Sequence, residues 1–144
     1  MENLIDDAEG IRALLAQTRR VAVLGIKTEE QSAQAAFYVA DYLAKAGLDV
    51  VPVPVYYPEV KQILGRPVYR KLVDVPGELD LVDVFRKPSD IDAHLPDILA
   101  KKPKAVWFQL GIRNDAAAQV LAKAGIKVVQ DRCLLVEHRK FAGG

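Results

Sequence analysis

Apolar residues along this chain fall into blocks of two kinds, spaced either as helices or as short continuous runs. In residues 4–18, Leu4, Ile5, Ala8, Ile11, Leu14 and Leu15 recur at helical spacing. Asp6 and Asp7 near the start of that block and Arg19 and Arg20 past its end suit the helix macrodipole. Residues 21–24 are an unbroken apolar run ending at Gly25, the pattern of a strand buried on both faces. Residues 32–46 read as a second helix, with Ala36, Phe37, Ala40, Leu43 and Ala44 as its stripe and Gly47 as its stop. Residues 49–53 make the next strand, with Pro52 and Pro54 at its end, where a missing N–H does least harm.

Residues 56–77 break the pattern with two adjacent tyrosines, Pro58, Gly65, Pro67 and Pro76-Gly77; long connections of this kind often carry function. After them the alternation resumes. Strands are predicted at 81–85, 105–108 and 126–129. Helices are predicted at 89–101 with Ser89 as N-cap, from Asn114 to a stop at Gly125, and from an Asp131 cap to about Arg139. Strand and helix in turn, with connections long enough for crossovers, predict an α/β fold. It should be a single Rossmann-like domain over residues 1–144, doubly wound, with a mostly parallel sheet of about five strands and helices on both faces.

Composition narrows the function. Hydrophobic residues make up 51% of the chain, enough for a proper core. Twenty basic and 19 acidic residues leave a net charge of +1, which gives no broad attraction to nucleic acid or to an anionic membrane. The longest apolar runs fall short of the ~20 residues a membrane helix requires, and the acidic N-terminus is unlike a basic signal peptide. Cys133, the single cysteine, excludes an intrachain disulfide and fits a reducing compartment. A cytoplasmic protein is expected; whether it has a protein partner or forms a homo-oligomer is not legible.

In such sheets ligands lie outside the carboxyl ends of the strands. The first of these ends is Gly25-Ile26-Lys27-Thr28, leading to Ser32. A βα turn offers backbone N–H groups to a phosphate, Lys27 adds a cation, and Thr28 and Ser32 add hydroxyls. Only the first glycine of the dinucleotide fingerprint is present, and the acidic residue expected ~20 positions on is missing, so NAD is disfavoured. The third strand runs into Phe85, Arg86 and Lys87. Two cations at a helix start oppose the macrodipole, which favours a role on an anion. Phe85, Tyr56 and Tyr57 could pack on an adenine ring, and Trp107 is expected in the core.

The blocks Leu81-Val82-Asp83-Val84-Phe85-Arg86-Lys87-Pro88, Ala105 through Ile112, and Asp131-Arg132-Cys133 with Val136-Glu137-His138 resemble the signature of small stand-alone CoA-binding domain proteins. Those proteins are similar to the N-terminal domain of the succinyl-CoA synthetase alpha subunit. Ile63-Leu64-Gly65 and Tyr69 before Val75-Pro76-Gly77 match the same pattern, and the resemblance runs from about Arg20 to His138. It implies coenzyme A, or an acyl-CoA, held across the strand ends. Gly25, Ile26, Lys27 and Thr28 would then meet the phosphates, and Pro52, Val53 and Tyr57 would border the nucleotide. Phe85, Arg86 and Lys87 would line the other side, with Gly111 near the pantetheine arm. Family members commonly carry Gly-Ala-Ser and then an arginine in the first turn. This chain has no arginine there, leaving Lys27 as a point charge without a bidentate grip.

No nucleophile–base–acid constellation assembles, and neither His94 nor His138 has neighbours at metal-ligand spacing, so no metal site is expected. The synthetase's catalytic histidine belongs to a second domain, which is not expected within this chain. The resulting expectation is a non-catalytic CoA-binding protein. The alternatives are a Rossmann-type enzyme using NAD or another nucleotide, with Cys133 as nucleophile at a helix start, and a regulatory subunit with a vestigial cleft.

Overall fold

The apolar runs become strands in the computed structural model, which describes residues 2–143. These are β1 (Arg20–Leu24), β2 (Asp49–Val53), a two-stranded hairpin of β3 (Gln62–Ile63) and β4 (Arg66–Pro67), then β5 (Leu81–Val84), β6 (Ala105–Phe108) and β7 (Lys127–Val129). All but the hairpin form one parallel sheet in the order β2-β1-β5-β6-β7. The order reverses between β1 and β5, where Leu24 stands beside Val84.

Helices cover both faces, which is why the strands are apolar along their interiors rather than alternating, Asp83 of β5 excepted. On one face α1 (Ala8–Ala16), α2 (Ala35–Lys45) and α5 (Leu134–Gly143) bring Ile11, Leu14, Phe37, Leu43 and Leu134 onto Val21, Val23, Leu81 and Trp107. On the other, α3 (Leu95–Lys101) and α4 (Asp115–Lys123) bring Ile98, Ala117 and Leu121 onto Ala22, Val82, Val106 and Phe108.

Both sheet edges are covered. Along β2, Val50 O accepts from the Arg66 guanidinium at 2.9 Å and Pro52 O from Tyr69 N at 3.0 Å. Along β7, Val128 N donates to Asn3 O at 2.7 Å and Val128 O accepts from Ile5 N at 2.8 Å. Edges satisfied in this way offer little template for another strand. At the amino end of the sheet, Asp80 Oδ2 accepts from both Arg19 N and Arg20 N at 2.9 Å. Burial alone would raise the Asp80 pKa, but these donors and the nearby Lys104 ammonium outweigh it and hold the carboxyl below its ordinary value.

Four predicted boundaries change. The first helix begins at Ala8 with Asp7 as its cap, because Leu4 bridges to Val128 instead of joining the helix. The second begins at Ala35, since residues 29–31 form a separate 3₁₀ turn. Ser89 is no cap: Pro88–His94 is 3₁₀ and only Leu95–Lys101 is α-helical. Pro96 explains that break, lacking the N–H that would reach the Asp92 carbonyl and crowding it with its ring. Asp131 does not cap α5; it sits at φ +57°, and its Oδ1 accepts from Gly111 N at 2.7 Å. The cap of α4 is as expected, with the Asn114 side chain accepting from Ala117 N.

Candidate functional site at the reversal of strand order

Between β1 and β5 the backbones nearly touch. Gly25 has φ +88°, and a Cβ built there would lie 2.4 Å from Phe85 O. Only glycine fits, on grounds of space and of backbone conformation alike. Phe85 N donating to Leu24 O at 2.9 Å draws the two turns together, while Gly25 N is taken on the other side by Val53 O of β2, also at 2.9 Å. A crevice at such a reversal is where open α/β sheets take their ligands.

The turn after β1 is occupied by its own contacts. Lys27 N donates to Ala36 O at 3.0 Å, and the Thr28 N and Oγ1 both donate to Gln31 Oε1, at 3.1 and 2.7 Å. The Lys27 ammonium donates to the Gln34 side chain. Glu29 and Glu30 follow, exposed, and Glu29 Oε2 accepts from Leu64 N at 2.9 Å, which ties the hairpin to this turn. Ile26 is only 1% exposed and packs into the core, Thr28 is buried, and Ser32 is exposed. The sequence reading pictured free N–H groups at a helix start; the N–H groups of Gly25, Lys27 and Thr28 are instead satisfied within the protein.

The turn after β5 differs. Phe85 is half-buried against the core beneath α2 and α5. Arg86 lies over the sheet end: Nε donates to His94 Nε2 at 3.1 Å and Nη1 to Tyr56 Oη at 3.3 Å, and Nη2 pairs with Asp90 at 3.5 Å. Its guanidinium carbon is also 5.5 Å from the Tyr56 ring centre. Lys87 is exposed just before the 3₁₀ segment. Burial first, and then the Arg86 charge, push the His94 pKa below its ordinary value against the pull of Asp97 and Asp90.

Beside this cluster opens a cleft of about 550 Å³ between the ends of β1 and β2 and helix α3. Leu24, Pro54, Val55, Val73 and Pro96 make apolar walls, and Lys71 and His94 stand among them. Arg70 and Asp97 line it too but are committed: Arg70 donates to the carbonyls of Tyr56, Tyr57 and Val60, and Asp97 accepts from Leu72 N and Val73 N. Size and mixed lining match small-molecule sites generally.

Of the residues expected to border a nucleotide from the second strand, Val53 is fully buried and Pro52 lies within the strand. Their neighbours Pro54 and Val55 reach the cleft instead. Tyr57 is half-buried at φ +63°, whereas Tyr56, 61% exposed, meets Arg86. Gly111 is exposed, its N–H bound to Asp131, and belongs to the β6–β7 side of the edge. The structure thus brings Gly25, Phe85 and Arg86 together and leaves Gly111 apart. Sequence reasoning missed His94, Lys71 and the Tyr56–Arg86 contact. None has a spacing signal, because the partners come from separate connections.

Trp107 is fully buried as expected, with Nε1 donating to Arg132 O at 2.8 Å. Cys133 is half-buried and immediately precedes α5. Among the described residues no three His, Cys, Asp or Glu side chains are grouped to hold a metal ion, and no helix is long and apolar enough to cross a membrane.

The family model described as "CoA binding domain" matches residues 19–139. The Uncharacterized protein YneT of Bacillus subtilis (strain 168) is 27% identical over 128 residues, covering 89% of this chain and 91% of that protein. A solved structure from Thermus thermophilus, cell-free ID.343, is 38% identical and superposes with a TM-score of 0.85 over 94% of this chain and 99% of the other. One chain of the dinucleotide-forming acetyl-coenzyme A synthetase 1 from Ca. Korarchaeum cryptofilum shares the fold, with a TM-score of 0.62 and 18% identity. The match takes in 76% of this chain but 25% of that one.

Proposed function

The chain belongs to the CoA-binding domain family, and from that premise we propose that it is a non-catalytic binding protein for coenzyme A or an acyl-CoA. The observation that carries this reading is the cleft beside the reversal of strand order, apolar along its walls and edged by Lys71 and His94. The nucleotide lies over the sheet end where the Gly25 turn packs against the Phe85 backbone, with its phosphates against Arg86 and Lys87. Arg86 is suited to that role because Tyr56, His94 and Asp90 hold its guanidinium at the sheet end before a ligand arrives. Charge-assisted contacts of this kind are among the stronger polar ones. The pantetheine arm runs toward Gly111 on the β6–β7 side. Holding rather than reacting is favoured because Arg86, Arg70 and Lys27 are each engaged by neighbours and Cys133 stands beyond β7. A CoA carrier of this kind would work in the cytoplasm.

Thermal unfolding with CoA, acetyl-CoA, NAD and AMP tests the proposal, since a ligand at ~100 times its dissociation constant adds ~2.7 kcal/mol of stability. Stabilisation by CoA or acetyl-CoA alone is expected. Stabilisation by NAD alone would sink the proposal in favour of a dinucleotide enzyme, and stabilisation by none of the four would leave the cleft a vestige.

A further inference from the structure

Arg86 and His94 are bonded in a way that permits only one protonation state. Arg86 has no acceptor of its own, so its Nε–H at 3.1 Å requires a bare lone pair on His94 Nε2 and a neutral imidazole. That imidazole also lines the 550 Å³ cleft, so one ring faces both the guanidinium and the space beside it. A proton on Nε2 would set two donors against each other and release Arg86.

We propose that His94 is a positioning residue of this cleft: neutral, it holds the Arg86 guanidinium over the sheet end, and when a phosphorylated ligand takes Arg86 as its partner, His94 is left to accept a proton and become a second cation facing the ligand. The inference rests on the CoA reading of the same site. The proton comes from the buffer and bonds to the Nε2 lone pair that the Arg86 Nε–H has left; no covalent bond of the ligand changes. The groups facing the imidazole account for its response. Arg86 and Asp90 come from the segment after β5 and Asp97 from α3; Arg70 and Lys71, from the connection after β2, line the same cleft, and Tyr56 bonds the Arg86 guanidinium. In the unliganded protein, burial and Arg86 keep the ring neutral against the pull of Asp97 and Asp90. An arriving dianion reverses the balance, as any close opposite charge favours the charged form. Because linkage is reciprocal, CoA binding takes up protons and its affinity rises as pH falls through the His94 midpoint.

The chain contains two histidines, so NMR of their ring protons during a pH titration reads His94 directly, with His138 as an internal control. His138 is bonded to Tyr42 Oη on the α2–α5 side. With CoA bound, the His94 midpoint should rise by about one pH unit and that of His138 should stay. Calorimetry of CoA binding in PIPES and in imidazole near neutral pH should give a greater proton uptake for the wild type than for His94→Gln. That difference cancels the proton balance of the ligand's own phosphate. CoA binding with an unmoved His94 midpoint, or with equal uptake in both proteins, overturns the inference while leaving the CoA reading intact. Absence of any CoA-dependent heat or shift overturns both. Should His94→Gln fail to fold, the wild-type titration alone decides.

Discussion

β1 and β5 lie side by side in register, yet their two turns solve opposite problems. β1 is apolar from Val21 to Leu24 and hands over to a glycine whose neighbours bond among themselves. β5 is just as buried but carries Asp83 between Val23 and Trp107, and it hands over to Phe85 and Arg86. The first turn shapes space; the second supplies charge. In a dinucleotide fold one glycine-rich turn performs both tasks with backbone N–H groups. Here they are split between two strands, which fits a first turn with one glycine and no arginine. On the proposed CoA reading, the role that the missing fingerprint leaves open falls to the Arg86 side chain across the reversal of strand order.

The largest effect should come from the space-shaping side. In Gly25→Ala the new Cβ would lie 2.4 Å from a backbone oxygen at φ +88°, so strands must shift. A loss of about 3 kcal/mol in urea unfolding is expected. Gly111→Ala is the matched control, with φ +84° but nothing within 4 Å of its Cβ, and should cost about 1 kcal/mol. Equal losses would mean that crowding against Phe85 is relieved cheaply and that Gly25 shapes nothing.

Asp83 sharpens the contrast from the other strand. It is fully buried, with neither carboxyl oxygen bonded among the described residues, and burial raises its pKa well above the ordinary value. Burial therefore favours the neutral acid in the folded protein over the carboxylate that the unfolded chain holds at neutral pH. Folded pKa above unfolded pKa means that the stability associated with this group is fully present below pH ~4 and is lost as pH rises toward the folded value. Asp83→Val, matching Val23 beside it, should add about 2 kcal/mol at pH 7 and flatten the fall in stability as pH rises above ~4. A destabilised variant, or an unchanged pH profile, would show that the carboxyl is satisfied after all.

Legibility in the sequence followed the same division. The strands of the main sheet were readable because burial on both faces demands continuous apolar runs, and Gly25 was readable because it ends one. The hairpin at Gln62–Pro67 was not, because each strand has two residues and its turn places Leu64 at φ +57°, a conformation ordinary leucines avoid. Asp131 looked like a helix cap by spacing alone, but its side chain was taken by Gly111. The Arg86 cluster could be half seen: the cations stood out against the helix macrodipole, while Tyr56 and His94 meet them only through tertiary folding.

The two turns can finally be weighed by their cations. Arg86→Ala should weaken CoA binding by about tenfold or more, since it removes a charged fork that is already positioned. Lys87→Ala, exposed and unconstrained, should cost about threefold. Lys27→Ala should cost least, within about twofold, because its ammonium is committed to Gln34 and the N–H groups around it are satisfied. Calorimetric dissociation constants for the three variants at one ionic strength check that order. If Lys27→Ala matched Arg86→Ala, the Lys27–Gln34 contact would have to open on binding. The first turn would then grip phosphate as it does in dinucleotide folds, and the division of labour between the two strands would fail.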